Sequence, residues 1–166
     1  MNSEERKQFV RAHRTCIFGY NRKQDGPSMS VVYYLMDGPD SILISTMEER
    51  GKAKAIRRNP KVSLCVLDEK WPPTYLQVYC DASVDVTMET DPERVIDSMM
   101  RLYELMAGKP MAESARPNAA ETARREKRVI LRLKPYATFE TPPRHVYKEQ
   151  DTVGLTHWVG QLMPWD

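Results

Sequence analysis

At 166 residues, 41% of them hydrophobic and 29% charged, the chain has the size and composition of one soluble domain with a single core, not of two domains or a peptide module. Its 25 Lys and Arg nearly cancel its 23 Asp and Glu, and the formal net charge of +2 excludes a polyanion-coating protein, so any anion binding must be local. The Met1 to Arg6 start has no apolar signal core, and the longest apolar run, Val31 to Met36, is far short of the roughly 20 residues of a membrane helix; the chain reads as cytoplasmic, without a membrane partner.

Ser3 and the acids that follow it start an amphipathic helix over roughly Ser3 to Ala12. Thr15 to Tyr20 is β-rich. Met29 to Met36 (MSVVYYLM) is apolar in both alternating sets, as expected of a strand covered on both faces by core, ligand or a second subunit. Asp37-Gly38-Pro39-Asp40 then turns the chain into a hairpin partner, Ser41 to Ser45. A short helix from about Gly51 to Asn59 is ended by Pro60 and followed by β-rich Val62 to Leu67.

Tyr75 to Val86 alternates without a break, with Leu76, Val78, Cys80, Ala82, Val84 and Val86 on one side, which predicts one long half-buried strand. Thr90 or Asp91 caps a helix with Pro92 at its first position and Gly108 as its stop. Val95, Met99, Leu102, Tyr103 and Met106 recur in it at helical spacing and read as core or subunit contact, not as a cofactor box. Lys109 to Glu126 reads as a loop followed by a helix. Arg128 to Lys134 alternates again, with Ile130 the one apolar residue on its polar side, and Pro135 ends it. The class is therefore mainly β with short helices (α+β), with strands pairing mostly with sequence neighbours in an antiparallel barrel.

The stretch from Ser45 to Lys61 carries the chemistry. Two hydroxyls, Ser45 and Thr46, leave a strand and face a helix start, where unpaired amides favour an anion, and Arg50 and Lys52 add positive charge at the same end. Counted with Lys54, Arg57, Arg58 and Lys61 against Glu48 and Glu49, the local excess is four positive charges, twice that of the whole chain. A phosphate fits this end. Nucleic acid does not, because the aromatics Tyr33, Tyr34, Trp71 and Tyr75 lie outside the basic run.

His13, His145 and His157 stand near the chain ends, and no Ser or Cys sits in a hydrolase elbow. Cys16, Cys65 and Cys80 are widely spaced and lack a nearby His, so they read as reduced thiols in strands and no metal site is expected. If the protein is an enzyme, a cofactor must carry the reaction.

These residues resemble the FMN-binding split β-barrel superfamily, the pyridoxamine 5′-phosphate oxidase-like proteins. More narrowly, they resemble its flavin and deazaflavin oxidoreductase branch that uses coenzyme F-420. The matching pieces are Asp25-Gly26 leading into Ser30-Val31-Val32-Tyr33-Tyr34, Asp37-Gly38, Leu43-Ile44-Ser45-Thr46, Arg50-Gly51-Lys52, Ile56 to Leu64, the long strand from Tyr75, and Arg128-Val129. The resemblance spans about Glu5 to Pro135. It implies a split-barrel domain over residues 1–135, an irregular tail over 136–166 on the same domain or its partner, and a homodimer with the cofactor at the subunit interface.

By position, Ser45, Thr46, Arg50 and Lys52 would hold the cofactor phosphate, and the backbone of Val31, Val32 and Tyr33 would line the ring system. Trp71 and Tyr75 fall near the ring or the partner. Val31 stands where many relatives have Pro, and Cys80 where many have Gly. The function implied is hydride transfer from F-420 to an unsaturated or conjugated small organic substrate. The alternatives are an FMN-dependent oxidoreductase of the same fold and a non-catalytic flavin-, deazaflavin- or haem-binding protein.

Overall fold

The computed structural model describes residues 1–68, 74–140 and 160–166. Helix α1 (Ser3–Ala12) opens on a capping box: the Glu5 amide donates to the Asn2 side chain, and the Asn2 amide donates to the Glu5 carboxylate. Asn2 is thus the cap, one residue earlier than the sequence suggests. The Ser3 hydroxyl instead donates to the Trp165 carbonyl at 2.9 Å.

Strands β1 (Thr15–Tyr20), β2 (Ser28–Tyr33), β3 (Leu35–Met36) and β4 (Ile42–Met47) precede helix α2 (Gly51–Arg58). Strands β5 (Lys61–Asp68) and β6 (Thr74–Thr87) lead to helix α3 (Pro92–Ala107). A 3-10 turn at Glu113–Ala115, helix α4 (Arg116–Arg125), and strands β7 (Arg128–Glu140) and β8 (Gln161–Pro164) complete the described chain. The strands form one antiparallel sheet in the order β2-β1-β5-β6-β7-β4-β3, with β8 beside the C-terminal half of β7. The sheet curls until edge strand β2 approaches β4 without pairing to it, and this unclosed seam makes a split half-barrel.

Alternation gives the strands two apolar faces where both are covered. Ile42, Ile44, Leu131 and Leu133 face into the curl with Phe18, Leu64, Val78 and the α1 residue Val10. Leu43 and Ile130 face outward under α3 and α4, against Val95, Ile96 and Met99. Ile130, on the face that reads as polar in sequence, is fully buried because these two helices cover it. Helix α3 is held at both ends: Asp91 accepts from the Arg94 amide at 3.1 Å, and Gly108 adopts φ +67° at the C-cap, where a Cβ would be strained.

Four expectations change. Met29 to Met36 is not one strand, because Tyr34 turns inward, fully buried, and its hydroxyl donates to the Val10 carbonyl at 2.6 Å. Among the described residues nothing covers its outward set, with Met29 72% and Val31 74% exposed, so cover by a ligand or a second subunit stays an expectation.

Pro135 does not end β7. It sits opposite Cys80 at a register shift, and a bulge tolerates the missing amide, so the strand runs on to Glu140. A second shift between Val84 and Val86 interrupts the alternation of β6.

The last residues are not irregular. β8 pairs with β7, Trp165 is buried, and its Nε1–H donates to Asp40 at 2.8 Å while the buried Arg6 donates to the Pro164 carbonyl at 2.7 Å. His145, His157 and Trp158 lie outside the described residues. No helix among the described residues is long and apolar enough to cross a membrane.

Candidate functional site

The seam between β2 and β4 is where the sheet leaves polar groups without sheet partners. Ser45 and Thr46 stand just before Met47, the last residue of β4. A short turn then brings Arg50 to the N-cap of α2, with extended backbone and no side-chain cap bond. A cavity of about 350 Å³ lies between β2, the end of β4, the start of α2 and the C-terminal half of α3. Val31, Val32, Tyr33, Ser45, Thr46, Arg50 and Lys52 all line it.

Its floor is electrostatically incomplete. The Ser45 Oγ is buried with no hydrogen-bond partner among the described residues, an arrangement that costs about 1–3 kcal/mol unless a ligand fills it. The Lys52 ammonium donates to the Ser30 hydroxyl at 2.9 Å, and no carboxylate is among the described residues lining the cavity. Burial first, and the neighbouring Arg50 second, hold the Lys52 ammonium below its ordinary pKa. Arg50 forms no ion pair among the described residues. Arg128, which also lines the cavity, is already gripped by Glu126 at 2.6 and 2.7 Å.

A neighbouring anion would relieve both strains at once, by accepting from Ser45 and by neutralising the Arg50–Lys52 pair. The rest of the basic run is turned elsewhere. Arg57 pairs with Glu48 at 2.6 Å, Lys61 pairs with Asp81 at 2.7 Å and lies over the Tyr136 ring, and Arg58 donates to the Asn21 carbonyl.

The β2 side of the cavity offers backbone. Strands β1 and β2 pair in a regular antiparallel register from Thr15↔Tyr33 to Tyr20↔Ser28, and just beyond them the Tyr34 amide donates to the Arg14 carbonyl at 3.0 Å. Hydrogen-bonded pairs alternate along such a ladder, so Val32 and Ser30 bond to β1 while Val31 and Tyr33 turn their N–H and C=O groups toward the open edge. These groups suit the polar rim of a planar ring.

Across from them stands an apolar wall of Met99, Leu102, Tyr103 and Met106. The helical spacing of this stripe reads as core or subunit contact, and Met99 does pack in the core beneath α3, yet all four residues also line the cavity. Arg128 has no site role in the sequence analysis, although Arg128-Val129 is one of the pieces that carry the resemblance and its alternation with Ile130 and Arg132 places it on the α3 side of β7.

Trp71 lies outside the described residues. Tyr75 is the second residue of β6, opposite Leu67, and is not among the residues lining this cavity. Among the described residues no three His, Cys, Asp or Glu side chains converge as a metal site.

A family model described as pyridoxamine 5′-phosphate oxidase matches residues 3–141. The chain belongs to this family. Pyridoxamine 5′-phosphate oxidase-like proteins share the split-barrel architecture seen here, and solved structures agree on the fold. A conserved hypothetical protein of Mycobacterium tuberculosis is 22% identical, with 83% of this chain and 82% of that one covered, at a TM-score of 0.68. An F-420 reductase is 20% identical, covering 80% and 94%, at 0.59. HutZ, the haem storage protein of Vibrio cholerae, is 19% identical, covering 80% and 88%, at 0.54. No match to a curated protein is found. Flavin-, deazaflavin- and haem-related proteins thus share one scaffold, and the family alone does not choose among them.

Proposed function

We propose that this protein is an oxidoreductase that binds the deazaflavin coenzyme F-420 at the β2–β4 seam and reduces an unsaturated or conjugated small organic compound. The observation that carries this reading is the unpartnered, buried Ser45 Oγ beside the uncompensated Arg50–Lys52 pair, in a cavity whose other side is a free strand edge. Ser45, Thr46, Arg50 and Lys52 would grip the phosphate, and the Val31 and Tyr33 backbone would hold the polar edge of the ring. When bound, the reduced cofactor supplies a hydride. The apolar α3 side keeps water away from the reacting face. Tyr33, 41% exposed at the rim, or water beside it delivers the accompanying proton.

F-420 is preferred over FMN because its tail carries carboxylates beyond the phosphate. A basic cleft lined by Arg22, Lys23, Lys54 and Arg58 adjoins Gly51, at the other side of the α2 start. Of these, Arg22 is paired with Asp25. Lys54 and Lys23 form no ion pair among the described residues and are free to meet such a tail.

The protein acts as a homodimer in this reading. Met29 and Val31 on β2, Ile17 on β1, Leu67 on β5 and Tyr136 on β7 leave apolar side chains in solvent, and a second copy would cover them.

Titration of the purified protein with F-420 and with FMN, followed by cofactor fluorescence, tests the cofactor. Tight FMN binding with no response to F-420 overturns the choice, and binding without oxidation of reduced cofactor across a panel of quinones and enones reduces the protein to a carrier. Sedimentation of Val31→Lys against the native protein tests the dimer, with a shift to monomer expected.

A further inference from the structure

We propose that the α3 stripe of Met99, Leu102, Tyr103 and Met106 selects what the cavity admits beside the cofactor, and that it takes an uncharged, flat, apolar compound at the rim between Tyr33 and Met106. This rests on the phosphate reading of the Ser45–Lys52 end. The four residues stand at i, i+3, i+4 and i+7, one continuous strip of a helix face. A strip that served only the core would be buried throughout. This one grades from Met99 at 2% exposed to Met106 at 42%, matching Tyr33 across the opening.

Charge is segregated along the cavity: the cations without an ion pair among the described residues, Arg50 and Lys52, stand at the α2 start, Arg128 is paired with Glu126, and aliphatic, thioether and aromatic groups run along α3. A charged compound laid against Met99, Leu102 and Met106 would lose hydration without gaining a partner, so the wall discriminates against it. Unbranched methionine side chains repack around different outlines, which gives the wall tolerance of shape. The helix beneath is fixed from its other side: Arg94 pairs with Asp85 at 2.8 Å and Arg101 with Asp37 at 2.9 Å. The wall therefore keeps its place while its side chains adapt.

The test uses cofactor-free protein and two probes, the neutral fluorophore N-phenyl-1-naphthylamine and inorganic phosphate, with Met106→Glu, Met106→Ala and Lys52→Ala. Met106 is at the rim, so both of its variants should fold, which circular dichroism checks. Met106→Glu should weaken the fluorophore at least tenfold and Met106→Ala about threefold, with phosphate affinity within twofold of native. Lys52→Ala should do the reverse.

Fluorophore binding that ignores both Met106 variants, or that falls equally in Lys52→Ala, overturns the proposal. If the fluorophore follows Met106 while phosphate ignores Lys52→Ala, the phosphate reading fails instead, and with it the wall's place beside a cofactor.

Discussion

Arg132→Met removes the hub of the ion network that ties α3 to the sheet while keeping the side chain's aliphatic stem. Arg132 donates to Asp85 from Nε and Nη2 at 3.0 and 2.9 Å, and from Nη1 to Asp37 at 2.9 Å and to the Ser41 hydroxyl at 2.6 Å. Breaking a fully buried pair costs about 3–5 kcal/mol, whereas a surface pair is worth about 0–1 kcal/mol. Arg132 lies between these limits at 21% side-chain exposure. Neither carboxylate is stranded by its loss, because Asp37 keeps Arg101 and Asp85 keeps Arg94. The expected cost is about 2 kcal/mol, or about 4–8 °C in Tm for a domain of this size.

The sign with pH follows from Asp37. Burial pushes its carboxyl up, but hydrogen bonds from Arg101 and Arg132 outweigh this and leave it below the ordinary range. A depressed carboxyl stabilises the fold above its unfolded pKa, about 3.9, and that stability is lost as pH falls through the lower, folded value. Urea unfolding of Arg132→Met and native protein from pH 7 downward should show a gap that is constant to about pH 5 and closes in stronger acid. A gap under about 0.5 kcal/mol at pH 7, or one that widens in acid, would refute this account of the network.

Lys52→Ala should weaken cofactor binding by about 1.5–3 kcal/mol, the loss of a charge-assisted bond, or roughly tenfold to a hundredfold in Kd by titration. Because Lys52 starts depressed and a bound anion raises it, affinity should be full below the free-state Lys52 pKa and fall as alkaline pH deprotonates it, a slope absent in Lys52→Ala. Alkylation at pH 8 read by mass spectrometry should mark half-buried Cys65 first, since burial pushes Cys16 up to about 12 and raises Cys80 as well. A Cβ at Gly160 would run into the Phe139 ring, so Gly160→Ala should loosen β8 at a cost of about 1–3 kcal/mol and expose Trp165, seen as a fluorescence red shift.

Much of the fold is legible because its signals are local. The α3 cap, stop and stripe, the short helix expected from about Gly51 to Asn59 and the period-two runs each depend on residues within a turn or two of one another. What escapes depends on distant partners. Nothing near Tyr34 in sequence announces that its hydroxyl will reach Val10, and nothing near Pro135 tells that β6 shifts register beside it. The cationic end of the site is legible because hydroxyls and cations must be adjacent in the chain to flank one helix start. The apolar wall is not, because a methionine stripe facing a cavity has the same spacing as one facing a core, and only the position of β2 across the seam separates the two.

The free edge of β2 has a further consequence. If the ring is held by the N–H and C=O groups of Val31 and Tyr33, then recognition is written in atoms that every residue except proline carries, and substitution of the side chains cannot erase it. A scaffold of this kind can let its sequence drift far while keeping one ligand edge in register. The Val31 side chain, relieved of recognition, is left to serve the surface outside, while that of Tyr33 stays at the cavity rim. An unfilled strand edge invites pairing with another chain, so the state of this protein most exposed to faulty association should be the one without its ligand.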